Sequence, residues 1–194
     1  MKKILRRDIR YFYFLIAVSF YLLFVVLFIF FMKNLAADYI LRDIDRRLMI
    51  VARSIPITLP ADYHDRAIKP GAINKNEWDI VEKKLTHLAE ASGVQYAWTD
   101  VLIYDKVYMT SCNRTEQTEE EGLELYYFMP YPEGVSNEEF SAFQGMDPVF
   151  ANFEDRWGRF RAVFIPYISP GGKKYLSCAE YTIDYVQEML NKSK

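Results

Sequence analysis

The stretch "DRWGRFRAVFIPYISPGGKKYLSCAEY", Asp155 to Tyr181, decides the fold. Two β-rich runs, 159–169 and 173–181, flank Pro170-Gly171-Gly172. Proline fixes φ and glycine accepts a left-handed φ, so this triplet reads as a tight turn between paired strands. Side chains alternate along a strand, which puts Phe160, Ala162 and Phe164 on one face and Arg161, Val163 and Ile165 on the other. In the second run Leu176, Cys178 and Glu180 share a face. Apolar residues occur on both faces, so both are covered. Arg161, placed among Val163 and Ile165, then needs a partner. Three kinds fit: an internal acid such as Glu180, an aromatic ring under the guanidinium, or a ligand carboxylate gripped bidentately.

Working outward, "PVFANFE" (148–154) supplies another strand, and "VQYAWTDVLIYD" with "KVYMTSC" (94–112) supply two more, joined by a tight turn near Asp105 and Lys106. The pattern upstream is helical. In "EWDIVEKKLTHLAEAS" (77–92), Trp78, Val81, Leu85 and Leu88 form one apolar face; Asn74 with Glu77 caps its start and Gly93 its end. Ser136 and Glu139 form a second capping box before "NEEFSAFQ" (137–144). The end, "TIDYVQEMLNKSK", is helical. Five antiparallel strands with helices packed on them make an α+β domain.

The N-terminus is of another kind. "YFYFLIAVSFYLLFVVLFIFFM", Tyr11 to Met32, carries no charge. As a helix it extends about 33 Å, enough for the ~30 Å hydrocarbon core and longer than the apolar core of a signal peptide. Lys2, Lys3, Arg6, Arg7 and Arg10 precede it against Asp8 alone, so the N-terminus is placed in the cytoplasm and the rest outside. The whole chain is −2, which leaves the outer part net acidic. That excludes nucleic acid as a partner, since no basic stripe can neutralise phosphates. Residues 33–60 then form a juxtamembrane helix in which Leu41, Ile44, Leu48, Val51 and Ile55 recur at alternating steps of three and four, and Pro56 and Pro60 end it. This stripe either lies on its own domain or forms the seam of a dimer.

Catalytic signatures are absent: there is no G-x-S-x-G, H-E-x-x-H, Walker loop or G-x-G-x-x-G. Two cysteines and two histidines, scattered apart, give neither a zinc site nor a thiol–imidazole pair. The acidic run from Glu116 to Glu124 reads as a solvated loop. No cofactor or metal is implied, and no enzyme.

Around "YHDR", "YFMPY" and "DPVFANFEDRWGRFRAVFIPYISPGGKKYLSCAEYTIDYV" the sequence resembles the membrane-anchored extracytoplasmic Cache (PAS-like) sensor domains of bacterial histidine kinases, diguanylate cyclases and chemoreceptors. The resemblance covers about 61–186 as the sensor domain, after a cytoplasmic N-terminus (1–10), the membrane helix (11–32) and the juxtamembrane helix (33–60). It implies a single-pass protein of the bacterial inner membrane, in contact with lipid and paired as a homodimer. It implies a sheet in spatial order 2-1-5-4-3, with a small-molecule site between the sheet and the insertion at 113–135. The candidate ligand residues that follow are Tyr126, Tyr127 and Tyr131 from the insertion, Trp157 and Arg161 near the fourth strand, and Glu180 on the fifth. In that order Cys112 and Cys178 stand two strands apart, about 9.5 Å, beyond disulfide reach, so both are expected as free buried thiols. Residues 187–194 lead toward the place where such receptors carry a second membrane helix, so the chain is either part of a longer receptor or a stand-alone sensor. Two other functions are open: an anchored module that binds an envelope protein and takes no small ligand, and, less favoured, an envelope hydrolase.

Overall fold

The structure is a computed structural model and describes residues 2–120, 125–130, 136–155 and 158–192. One helix dominates: α1 (Lys2–Thr58) runs 57 residues without a break, about 85 Å at 1.5 Å per residue. Its apolar stretch beginning at Tyr11 reaches a mean hydropathy of 3.0 over 18 residues, and none of that window is buried among the described residues. The same helix then enters the domain. Ile44, Leu48, Val51 and Ile55 are buried in the core, Leu48 and Ile55 completely, and Leu41 packs against its edge. The stripe proposed as a dimer seam is therefore covered by the chain's own sheet.

Pro56 does not end this helix, contrary to the sequence expectation; it lies inside the last turn. Proline has no N–H to donate to the carbonyl four residues back. That carbonyl, Ala52 O, instead accepts the Ser177 hydroxyl at 2.6 Å. The missing helix bond thus becomes a contact between helix and sheet.

The remaining elements are α2 (Tyr63–Arg66), α3 (Lys75–Ser92), β1 (Tyr96–Ile103), β2 (Lys106–Cys112), α4 (Glu116–Glu120), β3 (Met129–Pro130), α5 (Asn137–Gln144), β4 (Val149–Asp155), β5 (Gly158–Ile168), β6 (Lys174–Thr182) and α6 (Ile183–Lys192). The caps fall where the sequence places them: Asn74 Oδ1 accepts Glu77 N–H at 3.0 Å, Gly93 closes α3 at φ 72°, and Ser136 Oγ accepts Glu139 N–H at 3.0 Å. Two short helices, α2 and α4, occupy stretches expected as loops.

Among the described residues the sheet has six strands, one more than expected, in the order β3-β2-β1-β6-β5-β4, with every pair antiparallel. The five long strands follow the implied 2-1-5-4-3 order. The extra edge strand, β3, spans two residues, too few for a period-two pattern to register. It is set in place by Phe128, whose φ of 65° turns the chain and whose N–H bonds Met109 O at 2.9 Å. At the β5–β6 turn, the Asp65 carboxylate accepts the Gly171 N–H at 2.9 and 3.0 Å and also binds the Ser169 hydroxyl, fastening α2 to the hairpin.

The two faces of the sheet serve different purposes. Arg161 (β5) and Ser177 (β6) bond α1, and Tyr181 (β6) bonds the end of α3, which defines a helical face. Residues one position away point to the distal face, where α5 packs on β4, β5 and β6. Cys112 and Cys178 are free and buried, each directly across from Trp98 of β1 on opposite sides.

Candidate functional site

Among the described residues the candidate ligand side chains are not gathered in one place. Arg161 lies on the helical face. Its Nε donates to Asp45 Oδ1 at 2.9 Å and its Nη2 to Asp45 Oδ2 at 2.8 Å, with Nη1 on Asn152 Oδ1 at 3.3 Å. The guanidinium also sits 5.5 Å from the Phe150 ring centroid. The internal acid anticipated for Arg161 is present, but it is Asp45 of α1 and not Glu180. Register explains why: Arg161 pairs with Tyr181 and Ala162 with Glu180, so Arg161 and Glu180 leave opposite faces. Tyr127 is also on the helical side, its ring against Trp78 and its hydroxyl on Lys69 O at 3.0 Å. Tyr126 is exposed. Tyr131 and Trp157 lie outside the described residues. Of the described candidates, Glu180 alone faces the distal side, buried beside Tyr96 and Ala162.

The distal face holds chemistry that the sequence reading did not single out. Its apolar frame is aromatic: Trp98 meets Phe164 edge-on at 6.2 Å, Tyr96 meets Phe160 at 6.0 Å, and Phe153 tilts on Phe160 at 5.7 Å. Set into this frame are Asp100 of β1 and Glu139 of α5, both buried. Trp98 Nε1 donates to Asp100 Oδ2 at 2.5 Å, and the Cys178 thiol approaches the same oxygen at 3.9 Å. The Glu139 carboxyl acts electrostatically on Asp100, while the Glu139 N–H is capped by Ser136 Oγ at 3.0 Å. Asp100 Oδ1 and Glu139 Oε1 each lack a donor.

Two carboxylates cannot stay charged in contact without a cation, because burial and mutual repulsion both favour the protonated form. Burial, then the Glu139 charge, pushes the Asp100 carboxyl well above its ordinary range. Burial pushes Glu139 up to about 7. Burial thus favours the protonated form of both carboxyls. Among the described residues no group of three or more His, Cys, Asp or Glu side chains is placed to hold a metal ion.

Asp100 left a signal that could have been read: an acid inside the β-rich "YAWTDVLI". Glu139 left none beyond its capping role, since helix periodicity says nothing about a carboxyl across a layer. His64, on the helical side, stacks on Tyr175 at 3.6 Å, and burial lowers it to about 3, so it stays neutral.

The fold occurs in known proteins. The crystal structure of the Escherichia coli DcuS sensor domain superposes with a TM-score of 0.50 at 10% identity, covering 81% of this chain and 98% of that one. The ligand-binding domain of the Pseudomonas aeruginosa PAO1 amino acid chemoreceptor PctC, solved with GABA, scores 0.47 at 11% identity over 82% of this chain and 66% of that one. The sensory domain of the Campylobacter jejuni chemoreceptor Tlp3 scores 0.42 at 12% identity over 82% and 67%. No family model matches the sequence, and no curated protein matches it. The chain shares its fold with the DcuS sensor domain.

Proposed function

We propose that the chain is a membrane-anchored input domain: Tyr11–Met32 crosses the bacterial inner membrane once, and the α+β domain senses a small solute outside the cytoplasm. The observation that carries this reading is the continuity of α1. One unbroken helix is apolar and uncovered at one end and forms part of the domain core at the other. A shift of the sheet against α1 is therefore a shift against the anchor. Helix α6 packs on α1 and offers a second route for the same motion. A solute biases such a motion only through unequal affinity for the two arrangements. The distal face is the proposed site, with Glu180 on its floor and Tyr131 and Trp157 as further candidates from the sequence.

Pairing between two chains, if it runs along α1, uses the face left open. With Ile44, Leu48, Val51 and Ile55 turned inward, that face carries Tyr39 (72% exposed), Ile50 (59%) and Ile57 (85%).

A thermal-shift screen of the full chain in detergent tests the solute. The panel holds amino acids, carboxylates, polyamines and sugars, each at millimolar concentration. A solute present at a hundred times its Kd stabilises by about 2.7 kcal/mol, or roughly 5–10 °C for a domain of this size. Glu180→Gln is expected to remove the shift without lowering the basal Tm by a similar amount. A flat panel contradicts the solute reading and favours the interaction module.

A further inference from the structure

Helix α2 is four residues long, and each of its side chains holds a different element. The Tyr63 hydroxyl donates to Thr110 O of β2 at 2.5 Å. His64 lies flat on Tyr175 of β6, with ring centroids 3.6 Å apart and planes 5° from parallel. The Asp65 carboxylate accepts the Gly171 N–H and the Ser169 hydroxyl at the β5–β6 turn. Arg66 donates from Nη1 and Nη2 to Glu77 of α3 at 3.0 and 2.6 Å. Isolated helices shorter than about 12–15 residues are marginal in water, so these side chains, and not its backbone bonds, keep α2 in place beside the last turn of α1.

His64 differs from the other three. It is 4% exposed, and its Nε2 is buried without a hydrogen-bond partner. Stacking and burial hold it, and both suit the neutral ring; an imidazolium in that seat would bury a charge and leave a donor unanswered. From β6 the ring faces Tyr175, and Tyr167 of β5 stacks behind that at 5.7 Å. Burial raises both phenols, so both are neutral, and Arg53 of α1 acts on Tyr167. On α2 itself the neighbours are Tyr63, edge-on at 5.3 Å, Arg66, which is turned to Glu77 and Asp62, and Asp65, whose charge favours the imidazolium but is outweighed by burial.

We propose that α2 is an acid-opened clasp: neutral His64, seated on Tyr175, closes it on the sheet, and a proton taken up by the freed imidazole holds it open. The proton comes from solvent, which is the outer medium if the domain lies outside the cytoplasm as proposed above. It acts on the helical face, independently of any solute on the distal face. Seated, the ring stays neutral to about pH 3; a freed imidazole takes its proton near pH 6.5. Opening therefore takes up a proton and grows easier as pH falls, by up to about tenfold per unit below roughly pH 6.5. Down to about pH 4.5 this uptake precedes the protonation of ordinary carboxylates.

Hydrogen exchange of the full chain in nanodiscs reads the opening, with exchange times scaled for the intrinsic pH dependence of the chemistry. The amides of residues 65–67 bond Asp62 O and Tyr63 O. They are expected to be less protected than those of α3 at every pH, and to lose about tenfold per unit from pH 6 to 4.5. In His64→Phe a ring remains to stack on Tyr175 but takes no proton, so their protection is expected to become independent of pH. The chain has two histidines, and the imidazole NMR signal that His64→Phe removes is expected to be that of a neutral ring at pH 5. Equal protection of α2 and α3 would mean that α2 opens only with the whole domain, and overturns the proposal. So does constant protection of α2 from pH 6 to 4.5, an undiminished pH dependence in His64→Phe, or an imidazolium signal from His64 at pH 5.

Discussion

Leu48→Ala is expected to destabilise the domain by about 3–4 kcal/mol, and Ile50→Ala, two residues along the same helix, by less than about 0.5 kcal/mol. Leu48 is fully buried between α1 and the sheet, whereas Ile50 is 59% exposed. Truncating Leu48 removes its transfer free energy and leaves a cavity, because the sheet beneath is rigid and cannot fully collapse into it. Truncating Ile50 removes surface that water already reaches. Urea unfolding of the two variants measures both numbers. Had the 3-4 stripe been a seam between two chains, losing Leu48 would weaken association and make stability depend on protein concentration. Here the Leu48→Ala loss is expected to be independent of concentration.

Asp45→Ala and Arg161→Ala are each expected to cost about 2–3 kcal/mol, and the double replacement Asp45→Leu/Arg161→Met much less than the sum. The side chains of the pair are 23% and 19% exposed, and two parallel hydrogen bonds join them. Removing one partner leaves the other charge partly buried and unanswered, which costs 3–5 kcal/mol at a fully buried site and less where water has some access. Replacing both with apolar groups of similar volume removes the desolvation penalty with the attraction. A double-mutant cycle by urea unfolding gives the coupling, and additive single costs would show that the two residues do not interact. The pair also has a mechanical consequence, because Asp45 sits on α1 beside Ile44, at the anchor-side end of the buried stripe. Its loss loosens the joint through which the sheet grips the helix.

Much of this architecture is written locally in the chain. The alternation in 159–169 and 173–181, the Pro-Gly-Gly turn, and the caps at Asn74, Gly93 and Ser136 each depend on residues within a few positions of one another, and each appears as read. What the sequence withheld depends on distance along the chain. The spacing of Leu41 to Ile55 announced an apolar stripe, but periodicity does not say what covers it; the sheet does. Arg161 announced its need for a partner, yet the partner stands 116 positions away, on a helix that reads as a membrane stalk. Pro56 was read as a stop because its lost N–H was weighed inside the helix alone, where Ser177 could not be foreseen. The burial of Glu139 was not legible for a related reason: its capping role explained it locally, and only the packing of α5 on β4, β5 and β6 encloses it.

Everything in the functional reading rests on the domain lying outside the cytoplasm at the end of a retained membrane helix. Tyr104, at the tip of the β1–β2 turn and 96% exposed, offers a reporter position, since both native thiols are buried. Intact cells carrying Tyr104→Cys are treated with a membrane-impermeant maleimide. Labelling of the variant before lysis, with the unaltered chain unlabelled, is the expected result; labelling of the variant only after lysis would contradict the account.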